Sequence, residues 1–423
     1  MGRLLGTAAA LAGLALAGAG QAQEAAPDKA AVVAAYADLA EAEYGDALAG
    51  AQRLQTAVNR LVSEPSAPAL EAAKTAWLQA RVPYQQTEAF RFGNPIVDEW
   101  EGKVNAWPLD EGLIDYVEGD GASDENAYAG LNVIANPSFV IGSETVDAAV
   151  ITPELLADKL HEAEAIESNV ATGYHAIEFL LWGQDLNGTG PGAGARPWTD
   201  YATGDDCTNA NCDRRGQYLT AATDLLVSDL DWMVGQWGEA GAARAQVTGN
   251  PDAGVIAILT GMGSLSYGEQ AGERMRLGLM LNDPEEEHDC FSDNTHNSHF
   301  YDGLGIRNVY LGRYVRTDGS LVEGPSVSAL VAAADPAVDA DLRAKLDDTV
   351  FKLLAIKVTA EGGTAYDQML AGDNAAGEAL VMGAVEALIA QTRSIERAVS
   401  TLGLDQIAFE GSDSLDNPEA VFQ

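Results

Sequence analysis

A histidine and a glutamate three residues apart stand out within an apolar stretch, GYHAIEFLLWG at residues 173–183. Residues at this spacing lie on the same face of a helix, so the imidazole of His175 and the carboxylate of Glu178 can reach a single ion. The apolar neighbours predict that the helix is buried. A buried His and Glu must be paired, neutral or coordinating, which leaves two interpretations: a metal site, or a core histidine hydrogen-bonded to its glutamate.

A second pattern runs through residues 67–92, where aromatic and charged residues recur at spacings of four, three, four and three. They are Trp77, Arg81, Tyr84, Glu88 and Arg91. This spacing places all five on one helix face. A solvated charged face is the ordinary outcome of such a pattern. We favour a buried functional cluster, because exposed faces seldom carry Trp and Tyr so densely and a Glu beside two Arg can be neutralised when buried.

The stretch HDCFSDNTHNSHFYD, residues 288–302, holds three of the five histidines of the chain. These are His288, His296 and His299, and Asp293 lies among them. We predict a loop here. Imidazole together with carboxylate suits iron, zinc or copper, so these four residues are candidate ligands of a second cluster. The alternative is a loop in which Asp, Asn, Ser and His side chains satisfy backbone groups.

The chain has three cysteines, and two of them frame the short polar segment CTNANC. In an oxidising compartment the favoured interpretation is a local disulfide between Cys207 and Cys212. The alternative is a metal-binding pair, but this spacing is uncommon for zinc and no second Cys pair exists. Cys290 is left over, either as a small buried side chain or as part of the histidine-rich cluster.

Helical spacing of apolar residues dominates the rest of the chain, and strand-like alternation is nearly absent. The predicted fold class is therefore all-α, with two helical bundles packed together. Long connections rich in Gly, Asn and Asp separate the helices at 184–213 and 282–305, and connections of this length are usually functional. The predicted helices span residues 28–62, 67–92, 152–182, 214–239, 252–281, 337–361 and 375–401.

The predicted organisation has three parts. Residues 1–22 form a signal peptide, residues 23–205 an N-terminal bundle that carries the histidine motif, and residues 206–423 a C-terminal bundle. The two bundles together make one domain. The pattern E-x-x-R-x-G occurs at 88–93 and again at 273–278, which makes internal duplication a hypothesis for the origin of the two bundles.

The first residues have the layout of a secretory signal peptide: Arg3, an apolar run from Leu4 to about Ala19, and small residues up to Ala22. Later apolar runs are too short to cross a bilayer, so we expect no transmembrane segment. The predicted location is the periplasm or the outer envelope.

Charge narrows the range of partners. The chain has 64 acidic and 24 basic residues, for a formal net charge of −40. Nucleic acid and anionic lipid surfaces both attract Lys/Arg-rich proteins, so neither is an expected partner. The acidity attracts cations without selectivity, and it is no evidence for a specific metal site.

Four stretches make the chain resemble the imelysin-like family, which includes insulin-cleaving membrane proteases and iron-regulated proteins of the iron-regulated protein A type. The hallmark of that family is G-x-H-x-x-E, found here at Gly173, His175 and Glu178. The resemblance covers nearly the whole chain after the signal peptide, in the expected order. The four stretches are RVPYQQTEAFRFG (81–93), VNAWPLDEGLIDYV (104–117), GYHAIEFLLWG (173–183) and HDCFSDNTHNSHFYDGLGIRNVYLG (288–312).

The resemblance implies two helical bundles with a site at their interface and a role in bacterial iron uptake. By this resemblance, His175 and Glu178 are expected to be metal-site residues. We add Glu88 as a third candidate ligand, and the candidate neighbours are Arg81, Tyr84, Arg91 and Gly173. The segment GGTAYDQML (362–370) follows a similar helix but lacks H-x-x-E, so one site per chain is expected.

The favoured function is metal binding in envelope iron uptake, with iron as the expected ion and zinc or copper as alternatives. The expected partners are the ion or a metal chelate, and other envelope iron-uptake proteins. A metallopeptidase is the second hypothesis, although H-E-x-x-H is absent and H-x-x-E-H would need His in place of Phe179. The third is an envelope module that binds a small anion or polymer, with Arg81 and Arg91 clamping a carboxylate.

Overall fold

The computed structural model describes residues 27–119, 126–404 and 407–422. The predicted signal peptide, residues 1–22, lies outside them. Within the described ranges no helix is both long and apolar enough to cross a membrane.

Helices make up most of the described structure, which confirms the all-α prediction. Eight 3₁₀ or π segments in the described residues, together with turns, join or extend them. The α-helices are α1 (Lys29–Ser63), α2 (Ala67–Gln86), α3 (Pro95–Asn105), α4 (Glu111–Ile114), α5 (Pro153–Leu155), α6 (Gly173–Trp182), α7 (Cys212–Trp237), α8 (Ala242–Thr248), α9 (Pro251–Ser264), α10 (Leu277–Leu281), α11 (Thr295–Leu311), α12 (Val327–Ala334), α13 (Pro336–Glu361), α14 (Tyr366–Leu370), α15 (Ala375–Thr401) and α16 (Asp413–Asp416).

The described residues form two antiparallel β-hairpins. Strand β1 (Ser138–Ile141) pairs with β2 (Glu144–Asp147), and β3 (Arg313–Val315) pairs with β4 (Leu321–Glu323). Both hairpins are small, so packing between helices supplies the core.

Most helix boundaries follow from local signals in the sequence. The side chain of Ser66 accepts a hydrogen bond from the Ala69 amide at the start of α2, and Asp335 caps α13 in the same way. Proline occupies the first turn of both helices, where its missing N–H costs nothing. Side-chain caps also begin α1, α9 and α15. The predicted helices at 28–62, 214–239, 252–281, 337–361 and 375–401 agree closely with the structure.

Two predicted elements are wrong. The segment 152–182 is not one helix, because the chain turns after a short π segment (Leu156–Leu160) and Glu162 and Glu164 adopt positive φ. The predicted loop at 282–305 is helical from Thr295 onward. His296 and His299 therefore lie on α11 and not in a loop.

The helices pack around one large core and a smaller one. In the large core α1 lies along α2 and α7, while α2 also contacts α6 and α11. The smaller core is formed mainly by α13, α14 and α15 together with the π segment Leu265–Arg276. The division into bundles at residue 205 and the duplication stay predictions.

Candidate metal centre

Helix α6 carries the histidine motif through the middle of the large core, and all ten of its residues are buried. Its first residue, Gly173, has φ +81°. A Cβ at this position would lie 2.5 Å from the carbonyl oxygen of Val104 in α3. Only glycine permits both this backbone conformation and this close approach, so the glycine of G-x-H-x-x-E sets where α6 starts and how near it lies to α3.

The two polar side chains of the motif contact each other. The Nδ1 atom of His175 lies 3.0 Å from Oε2 of Glu178, as the spacing predicted. The other carboxylate oxygen, Oε1, accepts hydrogen bonds from the backbone N–H and the hydroxyl of Ser292, at 3.0 and 2.6 Å. Glu178 thus joins α6 to the loop that precedes α11. The Nε2 atom of His175 is buried and has no hydrogen-bond partner.

That loop brings two further side chains to His175. The rings of His175 and His288 are 4.8 Å apart between centroids. The Nδ1 atom of each histidine lies 3.9 Å from Oδ1 of Asp289. His175, His288 and Asp289 each offer a ligand atom within 4.8 Å of the others, and all three residues are buried. His288 thus belongs to the same cluster as His175. The sequence prediction missed Asp289, whose one available signal was its place beside His288.

The guanidinium of Arg81 lies against this cluster. It donates to Oδ1 of Asp289 at 2.7 Å and to Oδ1 of Asn105 at 2.6 Å, and Nη2 lies 3.4 Å from Nδ1 of His288. Burial would raise the pKa of Asp289, but Arg81 outweighs it and the pKa lies below its ordinary value. Asp289 is therefore an anion next to two imidazoles.

The same environment keeps both histidines neutral. Burial, reinforced by the positive charge of Arg81, lowers the pKa of His175 to about 3. Burial and the charge of Arg274 lower the pKa of His288 well below its ordinary value. Neutral imidazole is the form that binds metal ions, so at neutral pH both rings are in the ligand form.

Aromatic residues of α2 and α6 close one side of the cluster. The indole N–H of Trp77 donates to the carbonyl of Tyr174 at 2.9 Å, and the rings of Tyr84 and Tyr174 are 4.8 Å apart. The Arg81 guanidinium lies 5.0 Å from the Tyr174 ring centroid. Trp77, Arg81 and Tyr84 are thus buried together, and Arg81 contacts both His288 and Asp289.

Glu88 and Arg91 belong to a different network. Glu88 pairs with Arg274 at 2.8 Å, on the π segment, and Arg274 also pairs with Asp302 of α11. Arg91 is 22% exposed and binds carboxylates of α3 and the π segment, such as Asp98 at 2.9 Å. The expected neutralisation of Glu88 by Arg81 and Arg91 is therefore wrong. Glu88 is buried, but it lies outside the set of His175, His288 and Asp289.

The remaining residues of the histidine-rich stretch are dispersed. His299 is buried on α11, where its ring packs against the ring of Tyr366. Neither of its ring nitrogens has a hydrogen-bond partner. His296 contacts Asn297 through Nε2. Asp293 lies with Asp185 and Asp367 in a separate group of carboxylates. The structure thus divides the predicted second cluster and brings only His288 to His175.

Cys207 and Cys212 form a disulfide just before and at the start of α7, while Cys290 has a free, partly buried thiol.

Comparison with known proteins identifies the family. The family model described as Imelysin (Peptidase_M75) matches residues 40–395. The chain belongs to the imelysin family. The matched range includes the G-x-H-x-x-E motif and also His288 and Asp289, which lie in the loop before α11.

Two solved structures share the imelysin fold of this chain. One, assigned as an iron-regulated protein A precursor from Parabacteroides distasonis ATCC 8503, has a TM-score of 0.63 at 20% identity and covers 90% of this chain and 97% of that one. An imelysin-like protein from Psychrobacter arcticus 273-4 has a TM-score of 0.55 at 17% identity, with coverages of 91% and 99%. At these identities the likeness shows the fold.

A curated relative, Iron-regulated protein A of Synechococcus elongatus, is 39% identical over 67 residues. The aligned stretch makes up 16% of this chain and 19% of that protein, so it covers less than a fifth of the relative's length.

Proposed function

We propose that this member of the imelysin family binds one transition-metal ion, with iron as the expected ion, at His175, His288 and Asp289. The observation that carries the proposal is the buried donor set itself: two neutral imidazoles and one carboxylate, with ligand atoms within 4.8 Å of one another. Imidazole with carboxylate is a donor set that suits iron, zinc and copper.

The chemistry of each residue fits a bound ion. Nε2 of His175 is buried without a partner, and a buried polar atom in that state is costly unless something binds it. Glu178 contacts Nδ1, the ring nitrogen that also lies 3.9 Å from Oδ1 of Asp289. A carboxylate hydrogen-bonded to a histidine ring ordinarily fixes the orientation of the ring and its proton in metal sites. We therefore assign Glu178 to positioning His175, while His175, His288 and Asp289 bind the ion.

We further propose that the ion is cargo in iron acquisition outside the cytoplasm. Two relatives carry the words iron-regulated in their names, and the first residues of this chain have a signal-peptide layout. In this proposal the partners are the ion or an iron chelate, and other iron-uptake proteins of the envelope.

Metal titration of purified, untagged protein tests the proposal. Fe(II), Fe(III), Zn(II) and Cu(II) are titrated separately into the wild type and into His175→Ala and Glu178→Ala. We expect one tight site per chain. Each substitution should weaken it at least about tenfold, because loss of a residue that merely supports a ligand costs roughly 10–100-fold in affinity.

His161→Ala is the matched control, since His161 is also largely buried but lies outside the donor set. It should bind the metal as the wild type does. Absence of a tight site in the wild type, or equal affinities in all four proteins, would contradict the proposal.

A metallopeptidase is the second candidate, and one observation favours it. Zinc peptidases use two histidines and a carboxylate, and the structure assembles such a set from two distant segments. The burial of the set argues against it, because His175 is 1% and His288 2% exposed and a peptide bond could not reach them without a large opening.

Degradation of an unfolded protein substrate by the zinc-loaded chain tests this candidate. A true peptidase activity should be abolished by chelation and by Glu178→Ala, and kept in His161→Ala. Residual cleavage that is equal in all variants would indicate a contaminating protease.

The anion-binding hypothesis has less support. Arg81 is engaged by Asp289 and Asn105, and Arg91 by carboxylates including Asp98. Neither guanidinium is therefore free to clamp a ligand carboxylate without breaking an existing ion pair.

A further inference from the structure

The loop that carries His288 and Asp289 also contributes to a second group of carboxylates. Asp185 follows α6, Asp293 ends the loop, and Asp367 lies on α14. The three carboxylates place oxygen atoms within 4.8 Å of one another. Two oxygens that each lie about 2.4 Å from one calcium ion are at most about 4.8 Å apart, so this separation is compatible with one shared ion.

Several oxygen atoms in this region lack a partner. Asp367 is only 1% exposed, and neither of its carboxylate oxygens accepts a hydrogen bond of normal geometry. Oδ1 of Asp293 and Oε2 of the neighbouring Glu287 are also buried without a partner, and Glu287 is 1% exposed. Burying a carboxylate that is neither paired nor hydrogen-bonded is expensive. A cation, protons or an ordered water molecule would each supply the missing partner.

The charges that act on Asp293 are negative. Burial, together with the charges of Asp367 and Asp185, raises the pKa of Asp293 to about 7. The pKa of Asp367 is raised to about 6, because burial and the charge of Asp185 outweigh the lowering effect of the Gln368 backbone N–H. Carboxylates that crowd one another in this way gain much from a divalent cation, since it removes both the repulsion and the unmet hydrogen bonds.

The space available fits a single ion. Asp185, Glu287 and Asp367 line a cavity of about 10 Å³. A site for one water molecule needs roughly this much room, so an organic ligand is excluded. The donors are carboxylate oxygens, which hard cations prefer, and Ca²⁺ accepts irregular oxygen geometry more readily than Mg²⁺ does.

We propose that Asp185, Asp293 and Asp367, with Glu287 beside them, form a calcium site that is separate from the histidine centre. It does not depend on the proposed iron function. Residues 287–293 connect the two sites, because Glu287 and Asp293 face the acidic group while His288 and Asp289 face His175. Calcium would therefore hold the loop that supplies two of the three donors of the histidine centre.

Calorimetric titration of chelator-treated protein with CaCl₂ tests the proposal, with thermal unfolding measured in parallel. We expect one Ca²⁺ per chain and a higher melting temperature when it is bound. Asp367→Asn and Asp293→Asn should each weaken binding at least about tenfold, as loss of a metal-binding side chain does. Each should also unfold at the same or a higher temperature without calcium, because repulsion is relieved.

Two controls separate this site from others. Asp348→Asn removes an exposed carboxylate of α13 and should bind Ca²⁺ as the wild type does. His175→Ala should also keep the calcium site, even though it loses the transition metal. The proposal is overturned if the wild type binds no Ca²⁺, if Asp367→Asn and Asp293→Asn bind it unchanged, or if His175→Ala abolishes it.

Discussion

Arg81 and Asp289 form a 2.7 Å ion pair although 208 residues separate them, and both are almost fully buried. This pair attaches the loop before α11 to helix α2. The guanidinium of Arg81 also donates a hydrogen bond to Asn105 of α3, so the side chain of Arg81 links three segments of the chain. The contact places Asp289 beside the histidines and keeps it ionised.

Removing Arg81 should therefore cost much more than removing an exposed arginine. In Arg81→Met the buried Asp289 loses its ion-pair partner and keeps only neutral hydrogen-bond donors such as Asn294, which should lower the free energy of unfolding by roughly 3–5 kcal/mol. Arg307→Met is the control, because its ion pair with Asp347 at 2.7 Å is largely exposed and should contribute at most about 1 kcal/mol. Urea unfolding of both variants gives the comparison. Similar losses in the two would mean that Arg81 has no special role.

Gly173 should not tolerate even a methyl group. In Gly173→Ala the new Cβ would meet the Val104 carbonyl, and φ of +81° is strained for alanine. We expect a lower melting temperature and weaker metal binding, because α6 must move away from α3. Gly235→Ala provides the contrast, since nothing lies near its Cβ position on α7, and there a gain of about 0.4–1 kcal/mol is expected. Thermal unfolding and metal titration of both variants check the prediction.

Among the histidines of the stretch 288–302, His288 alone should matter for the metal. His288→Ala removes one of the three donors and should reduce affinity at least about tenfold. His296→Ala should leave the affinity unchanged, because its ring contacts Asn297 and lies outside the donor set. A stronger effect of His296→Ala would show that the ion binds elsewhere.

A second buried ion cluster, formed by Asp115, Arg196 and Arg215, should make the stability of the protein fall in acid. Asp115 contacts Arg215 at 2.6 Å and Arg196 at 2.7 Å. Burial would raise the pKa of Asp115, but the two arginines outweigh it and the pKa is lowered in the folded state. The stabilisation is therefore complete above the unfolded pKa of about 3.9 and is lost as the pH falls below it.

Asp115→Asn tests this pH dependence. The variant should be less stable than the wild type at pH 7, and the difference should shrink as the pH falls below about 4 and the wild-type carboxyl takes up a proton. Urea unfolding across this pH range measures it. A difference that stays constant with pH would show that Asp115 does not contribute through its charge.

Much of the local structure was predictable because it depends on neighbours in the chain. Helix periodicity located most helices, and the three-residue spacing placed His175 and Glu178 on the same helix face, where they are in contact. Where local propensity was overruled, the prediction was wrong. The segment 152–182 has helical spacing, but the turn at Glu162 and the close approach of Gly173 to Val104 break it.

The sequence by itself determined the helical class, the family motif and the contact between His175 and Glu178. Only the tertiary structure decided which distant residues join them. Asp289 pairs with Arg81, and Glu88 with Arg274 rather than with the arginines nearest to it along the helix. Spacing within a helix defines which residues share a face. Which residues pack against that face depends on tertiary contacts between segments that are hundreds of residues apart in the chain. Periodicity carries no information about those contacts.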